Sequence, residues 1–175
     1  MRIPDLIKAR PEQIDLELIE RKLWRIRRFQ GHPDALNVRP HTFLVQQLAI
    51  RDDAENEVIR WSYHHDDHEA LTGDAHGLLL RVVSQETTVW DDVTDHLDRT
   101  ICEARRMEYP SRSVREATHF YDKLAESLES RFGLGWPPLE NHPKWPIWLD
   151  DDYGQSLFEW AQSLREQDGG GSAIA

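Results

Sequence analysis

The seven consecutive residues Tyr63-His64-His65-Asp66-Asp67-His68-Glu69 carry three imidazoles and three carboxyl groups. Side chains of this kind either coat a solvated helix face or bind a metal ion. Neighbours such as His65 and Asp66 point about 100° apart on a helix. Both reach one ion only if it sits between helices and other ligands come from elsewhere in the chain. Two residues meet that demand. His41 falls on the apolar stripe of Leu44, Val45 and Leu48, and an inward histidine must satisfy two ring nitrogens. Asp122 lies beside the apolar stripe of another segment, next to Tyr121. Singly, each has an ordinary reading, as a core histidine bonded to a carbonyl or a solvated charge. Together, two imidazoles and two carboxylates form a mixed nitrogen and oxygen site for one divalent ion (Zn, Mn, Co, Ni, Fe or Mg), with room for water. Such an ion lowers the pKa of water and supplies hydroxide near neutral pH. Phosphate-ester hydrolysis needs that nucleophile, plus positive charge against the phosphoryl oxygens.

Helices must bring these residues together. The spacing of Ile19, Leu23 and Ile26 predicts a helix over Glu12 to Phe29, broken by Gly31-His32-Pro33-Asp34. A second is expected over Pro40 to Arg51, and a third over Ala54 to Leu71, with His65 and Glu69 on one face. Further helices are expected over Thr88 to Arg106, Ser113 to Phe132 and Gly154 to Gln167. Between the last two, Pro137, Pro138, Pro143 and Pro146 impose an irregular stretch, and Trp136, Trp145 and Trp148 are expected to cap the core. The expected fold is all-α: a single-domain bundle of about six helices over residues 1–168, with a disordered Gly/Ser tail at 169–175.

The totals agree with a globular domain. The chain has 175 residues, 39% hydrophobic and 30% charged. No apolar run approaches a membrane span, the first residues lack a signal-peptide core, and the single cysteine, Cys102, excludes an internal disulfide. A cytoplasmic location without a membrane partner is expected. The net charge of -11 disfavours a nucleic-acid polymer as partner. A small anion would need a local cationic site, for which Arg25, Arg27, Arg28, His32 and Arg39 are the nearest set.

Four blocks, in order, resemble the HD-domain metal-dependent phosphohydrolases, particularly their small nucleotidase branch in bacteria and phages. Arg28-Phe29-Gln30-Gly31-His32 resembles an Arg-Phe-x-Gly-His block. Asn37-Val38-Arg39-Pro40-His41 resembles the block of the first metal histidine. His65 to Asp74 follows His-Asp-x-x-Glu-Ala-x-x-x-Asp, and Tyr121-Asp122-Lys123-Leu124-Ala125-Glu126 is similar to the late block that gives the final ligand. The resemblance spans roughly residues 12–165. It implies an HD-type fold, metal ligation by His41, His65, Asp66 and Asp122, and proton transfer by Glu69. It also implies that Asp74 orients the water or leaving group, and that Arg28 and His32 hold phosphate or support the site. Trp24, Arg25 and Ile26 stand where relatives select the deoxynucleotide. The implied substrate is a small nucleotide, a deoxynucleoside mono- or polyphosphate. Removal of triphosphate from dATP is a narrower version, and a non-catalytic binding protein on the same scaffold is the alternative. A homo-oligomer would be ordinary for such an enzyme.

The chain also departs from the branch. Ala75-His76-Gly77-Leu78-Leu79-Leu80-Arg81 stands where Ile-Pro-x-Pro-Leu-Lys is usual, so Leu80 occupies the position of a phosphate-binding lysine and Arg81 is the nearest substitute. Tyr121 replaces an alanine before Asp122. His64 and His68 should point away from the His65 face, so one metal rather than two is expected.

Overall fold

Asp15 starts the first helix, α1 (Leu16–Leu23), by accepting a hydrogen bond from the Leu18 amide, a standard N-cap. The computed structural model describes residues 6, 8–74, 88–136 and 144–169, the side chains of 165–169 excepted. The sequence predicts one helix from Glu12 to Phe29; the structure has a 3-10 turn at Pro11–Gln13 and then α1, which stops at Leu23. The reason is competition for backbone groups. The Asn37 side-chain amide donates to the Trp24 carbonyl at 2.5 Å, the Val38 backbone amide to the Ile26 carbonyl and the Arg28 backbone amide to the Leu36 carbonyl, and Arg27 forms an antiparallel bridge with Asn37. The chain then makes a left-handed turn at Arg28–Gly31, with φ of 51° at Phe29, 55° at Gln30 and 81° at Gly31.

The helix that carries His41, α2 (Val38–Arg51), is the axis of the fold. It packs against α3 (Asn56–His64), α6 (Arg112–Leu128) and α7 (Asp151–Gly169). The third expected helix, Ala54 to Leu71, is interrupted. α3 ends at His64, residues 65–68 form a turn, and the short α4 (Glu69–Thr72) follows, closed by Gly73 at φ 82°. α5 spans Val89–Ala104. α6 is capped by Ser111, which accepts from the Val114 amide, and continues as a π-helical turn at Glu129–Gly133. A Cβ on Gly133 would stand 2.7 Å from Phe158 of α7, so a residue without a side chain lets the two elements approach.

The main core joins Leu44, Val45, Leu48, Trp61, Leu124 and Phe158, with Trp145 and Trp148 packed against it as expected. Trp136 instead lies at the surface, edge-on to Phe29 and His32. A smaller core of Ile19, Leu23, Val38, Ala70 and Ile101 holds α1 and α4 together. Among the described residues there is no strand, and no helix is long and apolar enough to cross a membrane. The Gly/Ser tail beyond 169 and the segment 75–87, with Leu80 and Arg81, lie outside the described residues.

Candidate metal centre

Three separate elements deliver the expected ligands to one place. α2 contributes His41, the turn after α3 contributes His65 and Asp66, and α6 contributes Asp122. His41 Nε2 lies 3.1 Å from Asp122 Oδ1 and 3.7 Å from Asp66 Oδ2. His65 Nε2 lies 3.3 Å from Asp66 Oδ2 and 3.8 Å from Asp122 Oδ1. One atom each from His41, His65 and Asp66 falls within 4.8 Å of the others. Donors that share one ion at about 2.1 Å stand roughly 3–4 Å apart, the range these nitrogen–oxygen separations occupy.

The hydrogen bonds behind the imidazoles turn the right nitrogens inward. His65 Nδ1 is 2.8 Å from the Ser62 carbonyl. A carbonyl only accepts, so the ring proton is on Nδ1 and the Nε2 lone pair faces the cluster. That Nε2 is buried and makes no hydrogen bond of proper geometry, an orphan that a cation would satisfy. His41 Nδ1 meets Glu129 Oε1 at 2.5 Å, again leaving Nε2 for the centre. His41, His65 and Asp66 therefore fit a divalent ion in composition, spacing and orientation, with Asp122 beside the two imidazoles.

The break after α3 is what lets His65 and Asp66 face one point, and Asp67 holds that break in place. Its buried carboxylate accepts from Arg39 Nη2 at 3.0 Å, Arg105 Nε at 2.9 Å and His64 Nδ1 at 2.9 Å. Arg39 and Arg105 also share Glu20 of α1. His64 is thus engaged with Asp67, and His68 with Asp98 at 3.0 Å. Both surplus histidines have carboxylate partners outside the His41, His65 and Asp66 group.

Electrostatics follow from this packing. Burial pushes Asp122 upward, but the His41 and His65 imidazoles overcome it and hold the acid well below the carboxylate range. Asp66 is lowered in the same way, against burial, by His65, His41 and Arg28. Glu69 moves the opposite way: burial first, then the Asp66 charge, raise it well above an ordinary glutamate. Its Oε2 is buried without a partner. A carboxyl group so placed releases its proton less readily than an ordinary glutamate, the direction that suits a proton-transfer group. Asp74 adds to the negative field at Glu69 and accepts from the Gln30 amide at 3.4 Å.

The remaining predicted residues divide. Arg28 points inward and bridges Asp66 at 3.4 Å and Glu129 at 3.2 Å; its charge is spent on carboxylates of the centre. His32 sits at the surface turn, edge-on to Trp136, with Nδ1 accepting from the Asp34 amide. Trp24 packs on Phe43, which follows His41 by two positions and so lies about 200° around α2 from it. Ile26 packs on the smaller core, and Arg25 is exposed. The basic set read from the sequence therefore forms no single patch, because Arg39 is fully buried in the Asp67 network while Arg28 serves the centre.

Three residues at the site were not read from the sequence. Glu129 is one; its spacing of seven from Asp122 puts both on one helix face and was the available signal. Lys123 and His119 are the others. Asp122 turns Oδ1 to the imidazoles, while its Oδ2 lies 3.8 Å from Lys123 Nζ and 3.7 Å from His119 Nδ1. These two side chains are 35% and 68% exposed, at the rim of the site. No family model matches the chain, and no curated protein matches it.

Proposed function

We propose that the protein is a metal-dependent phosphohydrolase of the HD-domain type that removes phosphate from deoxynucleoside mono- or polyphosphates in the cytoplasm. The observation that carries the reading is the convergence of two Nε2-presenting imidazoles and two carboxylates from α2, the 65–68 turn and α6. His41, His65, Asp66 and Asp122 would hold the ion. When bound, one divalent cation supplies Lewis acidity toward a phosphoryl oxygen and lowers the pKa of water. The chain does the rest. Glu69, buried and raised in pKa, exchanges a proton with the attacking water or the leaving oxygen. Asp74, tied to the left-handed turn through Gln30, orients the water or leaving group. Exposed His119 and partly buried Lys123, which also pairs with Glu126, are the donors at the rim for the phosphoryl oxygens, in place of the lysine that Leu80 displaces.

The experiment is a panel of deoxynucleoside mono- and triphosphates, supplied with Mn, Co, Zn or Mg and assayed for phosphate, pyrophosphate and triphosphate. The expected outcome is turnover of at least one deoxynucleotide, and a drop of about 100-fold or more for Glu69→Gln, within the range of general acid–base catalysis. A metal-loaded sample that turns over none of them overturns the proposal. Triphosphate released from dATP would select the narrower reading.

A further inference from the structure

We infer that Glu129 is the positioning residue of the metal centre, fixing the His41 ring so that Nε2 faces Asp66, Asp122 and His65. The inference rests on the metal-centre reading above and adds a residue that reading does not require. Three observations carry it. First, Glu129 is a fully buried acid, and a buried carboxylate persists only where it is bonded to donors. Second, its Oε1 bonds His41 Nδ1 at 2.5 Å and forms an ion pair with Arg28 Nε at 3.2 Å, without hydrogen-bond geometry. Third, it opens the π-helical turn Glu129–Gly133 that follows α6, a local irregularity that often marks a functional position.

The chemistry is that of a tautomer choice. A neutral imidazole carries one proton, and only a ring protonated on Nδ1 has a lone pair on Nε2 to give to a metal. Glu129 accepts at Nδ1 and so keeps the ring proton there when Nε2 turns to a metal; without one, Nε2 stands 3.1 Å from Asp122 Oδ1, a contact the ring makes only with Nε2 protonated as well. The same Oε1 also holds Arg28, whose Nη1 reaches Asp66 Oδ2. A closed circuit, Glu129–His41–Asp66–Arg28, therefore fixes a ligand from α2 and a ligand from the 65–68 turn at once. The role is indirect: Glu129 acts through His41 and Arg28.

The test uses the full chain, stripped with a chelator and titrated with zinc chloride, comparing wild type, Glu129→Gln and Glu129→Leu. Loss of a partner behind a ligand histidine typically weakens metal affinity about 10–100-fold. Glu129→Leu is expected at the high end of that range, and Glu129→Gln, which keeps an acceptor oxygen, at the low end. The zinc-loaded wild type should also show a downfield, slowly exchanging Nδ1 proton on His41 in nitrogen-15-labelled histidine spectra, weakened in Glu129→Gln. If Glu129→Leu does not fold, Glu129→Gln and the His41 spectrum carry the test. Wild-type affinity in Glu129→Gln with an unchanged His41 signal overturns the inference alone. A wild-type chain that binds no zinc overturns the metal-centre reading beneath it.

Discussion

At the scale of single residues, the centre works by giving each polar atom one task. Asp122 separates its oxygens, one toward the imidazoles and one toward Lys123 and His119. His65 spends Nδ1 on Ser62 and keeps Nε2 open. Cys102 shows the opposite use of burial. It is a buried free thiol beside Asp98 and Asp67, and burial followed by the Asp98 charge raises its pKa from 9.0 to about 11. The thiolate is the reactive form, so Cys102 should resist a disulfide reagent at pH 8 in the folded protein and react promptly in urea. The linkage has a definite sign. A thiol raised in the folded state binds more protons there than in the unfolded chain, so its contribution is complete below about pH 9 and is lost as pH rises through about 11. Urea melts across that interval should show falling stability, and Cys102→Ala should fall less steeply; equal slopes would contradict the assignment. The four candidate ligands were legible in the sequence because their types and helical positions are local information. Glu129 was not: its spacing of seven from Asp122 was the one signal, and among Ser127, Leu128 and Ser130 spacing alone does not separate a buried acid from an exposed one.

At the scale of elements, the informative features are the interruptions. Periodicity found α2, α5, α6 and α7 to within a few residues, since each buries one stripe. It missed the end of α1 and the break after α3, because both are imposed by partners distant in sequence. Asn37 and Leu36 draw residues 24–28 out of the helix, and Arg39 and Arg105 draw in Asp67. The second break predicts a mutational effect. Removing the Asp67 carboxylate leaves Arg39, fully buried, with Glu20 and the Tyr63 carbonyl as remaining acceptors, and breaking a buried pair costs up to about 3–5 kcal/mol. Asp67→Ala should therefore lose up to that much stability in chemical denaturation. It should also weaken zinc binding, because the turn that aims His65 and Asp66 loses its anchor. A loss under about 1 kcal/mol would mean that the arginines find equal partners elsewhere, since that is the scale of a surface ion pair.

At the scale of the whole molecule, the all-helical fold followed from composition and periodicity, and the centre depends on the bundle as a unit. Its ligands come from α2, the 65–68 turn and α6, so the ion would bind the folded state and not the unfolded chain. A metal present at 100 times its dissociation constant then stabilises by about 2.7 kcal/mol. For a chain of this size each kcal/mol is worth about 2–4 °C, so added zinc or manganese should raise Tm by about 5–10 °C. His65→Ala should show little of that rise; an equal rise in that variant would place the ion elsewhere. The Glu129–His41–Asp66–Arg28 circuit has a last consequence, for the sequence of arrivals. Asp66, Asp122 and Glu129 are three acids facing the one guanidinium of Arg28, which leaves an excess of two negative charges when the imidazoles are neutral. A phosphate ester that came first would meet that excess, in a chain already at -11, and be turned away. A doubly charged cation cancels it. If the proposed function holds, occupancy of the nest by the ion is the condition for admitting the anion, and cation before nucleotide is the kinetic order expected from the charge of the walls.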